Sequence, residues 1–129
     1  MKMGNGKQMT KEELHFLGIK VVYKDMVDKG YKVLNVRNET DINPQILASK
    51  DENRYFIVVR TTPYPEMGIL LPTLAAEVMH HATKHSATCL FASVGIANAN
   101  GETEEEMALP EAGGEYYINY KGLQDFPIL

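Results

Sequence analysis

Apolar residues recur at helical spacing after residue 9 and give the first predicted element. Thr10 and Glu13, at the start of this run, form the pattern of a capping box, and Gly30 stands where a glycine often ends a helix. We therefore predict a helix from residue 10 to about residue 29, preceded by a flexible tail over residues 1–9. Its apolar arc is broad, which predicts burial on more than one side, by a second layer or by a partner subunit. One face of this helix carries Leu14, Leu17, Gly18, Val21 and Val22.

Strand-like patterns and a second helical pattern fill the rest of the chain. The predicted strands cover residues 31–37, 45–49, 54–61, 88–97 and 115–121. The first alternates as an edge strand does, and the third is apolar on both faces, as in a central strand. Residues 50–53 read as a hairpin turn, and residues 98–114 as a long acidic connection. A second helix is predicted to start at Ile69 or Pro72 and to end at Ser86.

The order of these elements predicts a single α/β domain over residues 10–129. In it, a mixed central sheet of about five strands is flanked by two helices, in the order α-β-β-β-α-β-β. The 129 residues are 44% hydrophobic and 23% charged, which is ordinary for a globular domain. The net charge of −4 argues mildly against tight nucleic-acid binding, although it permits a local basic patch. No apolar run is long enough for a signal sequence or a membrane span, so we expect a cytoplasmic protein without membrane contact.

Three stretches of the chain carry a recognisable family pattern. They are Gly30–Asn38, Asn43–Ala48 and Phe56–Thr61. Together they resemble the core of the PD-(D/E)XK nuclease superfamily, in particular small members such as the archaeal Holliday-junction resolvases and related restriction-endonuclease-like proteins. The resemblance covers about residues 12–62 together with the helix and strand that follow. It implies a restriction-endonuclease-like fold, in which two acidic residues hold Mg²⁺ and a lysine helps to activate the attacking water.

The chain departs from this pattern at the positions that carry the chemistry. The aspartate of the family falls on Gln45, its glutamate on Val58 and its lysine on Arg60, and the acid of the first helix falls near Ile19. Mg²⁺ requires hard oxygen ligands, usually carboxylates, which an amide replaces poorly and a valine does not replace at all. Arginine does not lose its proton in a protein and cannot act as a base. The resemblance therefore implies a vestigial site with no catalytic residue, no metal and no cofactor.

Two other uses of this region remain open. Asp41, four residues before Gln45, could replace the lost acid, with Glu39 behind it, in a divergent DNA nuclease that needs Mg²⁺ or Mn²⁺. Such an enzyme would use Asp41, Gln45 and Arg60. Alternatively, a guanidinium on a buried strand would need an anionic partner, which makes Arg60 a candidate for binding an anionic ligand.

Two histidines of the second helix are the remaining binding candidates. His81 and His85 are four residues apart and project from one face, which suits a metal pair, but Ala82 occupies the glutamate position of an HExxH motif. Their place on an apolar stripe also suits a subunit contact. The function predicted is a catalytically inactive nuclease-like domain that acts as a binding or dimerisation module. Its expected partner is a second copy of the chain, and nucleic acid or an anionic ligand is a further possibility.

Overall fold

A computed structural model describes residues 7–127 of the chain. They form a mixed six-stranded sheet with helices on its faces, so the predicted α/β class and the order of the main elements are confirmed. The helices are α1 (Lys11–Asp28), α2 (Pro72–Lys84) and the short α3 (Glu104–Met107). The strands are β1 (Lys32–Val36), β2 (Ile46–Lys50), β3 (Asn53–Pro63), β4 (Ala87–Asn98), β5 (Tyr116–Tyr120) and β6 (Gln124–Asp125).

The predicted boundaries of α1 are confirmed by its caps. The Glu13 amide donates to Thr10 Oγ1 at 3.1 Å, and the Thr10 amide donates to Glu13 Oε1 at 2.9 Å, which completes the capping box. Lys29 caps the C-terminus, and Gly30 follows with a φ of 90°, a conformation that glycine adopts without strain. Helix α1 can approach β3 closely because Gly18 faces the hydroxyl of Thr61.

The order of strands in the sheet is β1-β2-β3-β4-β5, and β6 pairs with β4 farther along the edge that β5 occupies. Strand β1 is therefore an edge strand and β3 a central one, as predicted. Strands β2 and β3 form an antiparallel hairpin whose two turn residues, Asp51 and Glu52, have positive φ values of 52° and 67°. Strands β3 and β4 are parallel, and α2 makes the crossover between them.

Two apolar cores lie on opposite faces of the sheet. Helix α1 covers the larger core, which includes Ile19, Val22, Ile57 and Val94. Helix α2 covers the smaller core, which contains Phe56, Val58, Val78, Ala82 and Phe91. Helix α2 is short and leaves uncovered the part of this sheet face that β1 and β2 form. The Leu34 side chain in that part is about half exposed.

The structure corrects the prediction at three places. The sheet has six strands rather than about five, because β6 adds a short pairing to β4. The connection over residues 98–114 contains α3, which Thr103 caps by accepting a hydrogen bond from the Glu106 amide. Helix α2 begins at Pro72, which occupies its first turn, and not at Ile69.

Most of the predicted tail lies outside the described residues. Of the part within them, Gln8 forms an isolated bridge with Glu111, and the Met9 amide donates to the Pro110 carbonyl. The side chain of Met9 packs against the α1 core. Within residues 7–127, no helix is long and apolar enough to cross a bilayer.

Candidate functional site

Gln45 lies immediately before β2 and extends the hairpin ladder with its side chain. Its backbone amide donates to the Ile57 carbonyl at 3.0 Å, and its Oε1 atom accepts from the Val59 amide at 2.8 Å. The Nε2 atom donates to the Ile42 carbonyl at 2.9 Å and to Asn43 Oδ1 at 2.7 Å. The residue is fully buried at 0% exposure, yet all of its amide groups have partners.

Arg60 reaches the same group of polar atoms from β3. Its Nη2 atom donates to Asn43 Oδ1 at 2.9 Å, and its Nη1 atom donates to the Val59 carbonyl at 2.9 Å and more weakly to Gln45 Oε1 at 3.4 Å. All of these acceptors are neutral oxygens, and no ion pair joins Arg60 to another described residue. Burial lowers the pKa of the guanidinium from its usual value, although arginine remains charged in proteins.

Val58 lies on β3 two residues before Arg60 and is closed to solvent. Its exposure is 0%, and it packs in the α2 core beside Phe56 and Val78. Residues two apart on a strand share a face, so Arg60 follows Val58 on the side of α2. Gln45 shares this side because Leu47, two residues later, packs in the same core. Gln45, Val58 and Arg60 therefore lie on the same face of the sheet.

Two further residues of this region were not identified from the sequence. Asn43 accepts hydrogen bonds from both Gln45 and Arg60, so it holds the two side chains together. His15 of α1 is 5% exposed, and its Nε2 atom has no hydrogen-bond partner among the described residues. Burial and then the positive charge of Arg60 lower the pKa of His15, while the backbone carbonyl of Glu39 acts in the opposite direction. The low pKa favours a neutral imidazole at this end of the sheet.

The carboxylates proposed to replace the lost acid stay outside this cluster. Asp41 and Glu39 are exposed in the loop before β2, and neither side chain hydrogen-bonds to Gln45 or Arg60. Within residues 7–127, no group of three or more histidine, cysteine or acidic side chains is placed to hold a metal ion. The cluster therefore contains two amide oxygens, Gln45 Oε1 and Asn43 Oδ1, and the Arg60 guanidinium, all of which are engaged in hydrogen bonds.

His81 and His85 lie in a separate place, at the end of α2. Their ring centroids are 4.7 Å apart in an edge-on arrangement, and the rings lie 5.4 Å and 5.8 Å from that of Phe56. Both side chains are exposed. They line a groove of about 400 Å³ between α2 and the open part of the sheet, together with Arg37 and Arg54. Neither arginine was identified from the sequence as a site residue.

The local signals for the missed residues were weak. His15 stands three residues before Gly18 on the buried face of α1, which could have indicated a histidine directed at the sheet. Asn43 precedes a proline and reads as an ordinary turn residue. Arg37 directly follows β1 and Arg54 lies on β3, and only the antiparallel pairing of β1, β2 and β3 brings them to the same groove.

Comparison with known families places the chain in one of them. No curated protein matches the sequence. A family described as a domain of unknown function, DUF8840, matches residues 12–126, from the first turn of α1 to the residue after β6. This match covers both helical layers and every strand of the sheet. The chain therefore belongs to the DUF8840 family of domains of unknown function.

Proposed function

We propose that this chain is a catalytically inactive domain of the restriction-endonuclease-like fold that acts as a binding or dimerisation module. The observation that carries the proposal is the hydrogen bonding of Gln45. Its carboxamide is fully buried and bonds the Val59 amide, Asn43 and the Ile42 carbonyl, so it serves to hold the β2–β3 junction. Its Oε1 atom accepts from the Val59 amide and from Arg60 Nη1, so both lone pairs of the oxygen are engaged within the protein.

The arrangement of elements supports the kinship. A helix leads into an antiparallel three-strand unit, and a second helix then crosses to a strand parallel to the third. This is the order that the resemblance implies for small PD-(D/E)XK proteins. Gln45, immediately before β2, and Val58 and Arg60 of β3 share one face of the sheet, which supports the assignment of the family's three catalytic positions to these residues.

Electrostatics support the loss of catalysis. A hydrolytic site of the PD-(D/E)XK superfamily concentrates negative charge around a dication. The corresponding place in this chain contains the Arg60 guanidinium and neutral oxygens. Val58 fills the second ligand position with hydrocarbon. A dication brought here would be repelled by Arg60 and would find no carboxylate, so binding would lose the ion's hydration without replacing it.

The surface of α1 supports dimerisation. Phe16, Tyr23 and Val27 form a stripe at helical spacing, and each of these side chains is about half exposed. Lys20 lies in the same stripe, with its Nζ atom 5.3 Å from the centre of the Phe16 ring. A second copy of the chain, covering this face, would explain why the apolar arc of α1 is wider than the sheet can bury.

Nuclease assays test the proposal directly. The purified chain is incubated with single-stranded, double-stranded and branched DNA in Mg²⁺ and separately in Mn²⁺, and we expect no cleavage in any of these reactions. The Asp41→Ala variant is the matched control for the nuclease alternative. Cleavage by the wild-type chain that Asp41→Ala abolishes would overturn the proposal and establish a divergent metal-dependent nuclease.

Light scattering tests the dimer. We expect a mass twice that of the 14.5 kDa chain at micromolar concentration, and a shift towards the monomer in the Tyr23→Glu variant. Thr73→Glu, an exposed position on α2, is the control and should leave the mass unchanged. If the wild-type chain is a monomer, the dimerisation part of the proposal is wrong and only ligand binding remains.

A further inference from the structure

The groove between α2 and the open part of the sheet combines an apolar floor with a cationic rim. Leu34, Leu47 and Phe56 contribute apolar surface, and Arg37, Arg54, His81 and His85 contribute the groups that can carry positive charge. No aspartate or glutamate is among its lining residues in the described part of the chain. This is a local reversal of charge, because the chain as a whole has a net charge of −4.

The rim arginines are available to a ligand. The chain has three arginines, and the third, Arg60, is occupied by internal hydrogen bonds. The side chains of Arg37 and Arg54, by contrast, make no hydrogen bond or ion pair with another described residue. Guanidinium groups form strong paired hydrogen bonds with carboxylate and phosphate oxygens. Two such groups near one groove therefore favour an anion.

The apolar floor and the histidine rings indicate the shape, polarity and size of the ligand that the groove can accept. The His81, His85 and Phe56 rings lie within 6 Å of one another as an aromatic cluster at one side of the groove. Flat apolar groups pack well against such rings. The volume of about 400 Å³ suits a small molecule, since ligand pockets commonly measure roughly 300–1,000 Å³.

We infer that this groove binds a small amphipathic anion, with a flat apolar body against Phe56 and the histidines and a carboxylate or phosphate towards Arg37 and Arg54. The Gln45 and Arg60 side chains do not line the groove. The inference therefore goes beyond the proposed function and stands independently of the loss of catalysis. A nucleic-acid surface would instead need cations continued along a strand of phosphates, whereas both arginines here line a single groove.

The test uses three probes that share one ring system. The full-length, isotope-labelled chain is titrated in an NMR experiment with 2-naphthoate, with the neutral 2-naphthylmethanol and with the cationic 2-naphthylmethylamine. Naphthoate is expected to shift the ring signals of His81 and His85 and to bind about tenfold more tightly than the alcohol, since a charge-assisted hydrogen bond contributes on that order. The amine is expected to bind most weakly.

Variants separate the charge from the apolar floor. The double variant Arg37→Gln and Arg54→Gln is expected to lose the preference for naphthoate over the alcohol while it still binds the alcohol. Lys20→Gln, which removes a cation from the opposite side of the sheet, is the matched control and should change nothing.

Three results would overturn the inference. These are the absence of naphthoate binding at millimolar concentration, equal affinity for all three probes, and a preference for naphthoate that survives in the double arginine variant. Displacement of naphthoate by a 12-base-pair DNA duplex, with a steep dependence on salt, would reassign the groove to nucleic acid.

Discussion

Replacing Gln45 with alanine should lower the free energy of unfolding, chiefly because a buried hydrogen bond is lost. The Val59 amide, which donates to Gln45 Oε1 at 2.8 Å, would be left without its acceptor in the interior of the protein. An unsatisfied buried donor costs about 1–3 kcal/mol. The γ-methylene group, which alanine also lacks, adds about 1 kcal/mol. Arg60 keeps its bonds to Asn43 and the Val59 carbonyl, so we expect a total of about 2–4 kcal/mol.

Urea denaturation followed by circular dichroism measures this loss. With a slope of about 2 kcal/mol per molar urea, the unfolding midpoint of Gln45→Ala should fall by about 1–2 M. Gln124→Ala is the matched control, because Gln124 is exposed on β6 and should change stability by less than about 0.5 kcal/mol. If Gln45→Ala unfolds within that same margin, Gln45 does not hold the β2–β3 junction and our assignment of a structural role to its side chain is wrong.

Three further predictions concern α1 and its contacts. Burial above all, and the positive charge of Arg60, lower the pKa of His15, so the unfolded chain takes up this proton at a higher pH than the folded chain does. Below about pH 6.5 the free energy of unfolding should therefore fall by up to about 1.4 kcal/mol per pH unit. Urea titrations between about pH 5 and 7 should lose this slope in His15→Gln and keep it in His80→Gln, the control at an exposed site. Gly18→Ala should lower the thermal midpoint, at a cost of about 1–3 kcal/mol, because a Cβ there would lie 1.7 Å from the threonine hydroxyl it faces on β3; an unchanged midpoint would contradict that close approach. Tyr120→Phe should cost about 1–2 kcal/mol in chemical denaturation, because the hydroxyl donates to Asp25 Oδ2 at 3.0 Å and ties β5 to α1, and equal stability would show that this bond contributes nothing net.

Signals confined to a few neighbouring residues predicted the framework of the fold well. Thr10 and Glu13 defined the start of α1, and the apolar centre of β3 identified it as a central strand. The same type of signal is present at Thr103 and Glu106 of α3, but it lies within the acidic stretch predicted as a long connection. A four-residue helix has too little apolar periodicity to stand out from such a loop.

Features that depend on pairing between residues far apart in the sequence could not be predicted from it. Strand β6 has two residues and exists because the edge of β4 is available next to β5. In the candidate site, the contact of Gln45 with Arg60 depends on the pairing of β2 with β3, and the contributions of Asn43 and His15 depend on how the loop before β2 and the start of α1 come together. Hydrogen-bond partners far apart in sequence leave no periodic trace.

The loss of the metal site is the central claim, and crystals grown with Mn²⁺ test it most directly. Anomalous diffraction at the manganese edge should show no peak between Gln45 and Arg60, and the Gln45 side chain should keep its bond to the Val59 amide. A manganese peak at this place, with Asp41 turned inward as a ligand, would contradict the account and favour an active nuclease.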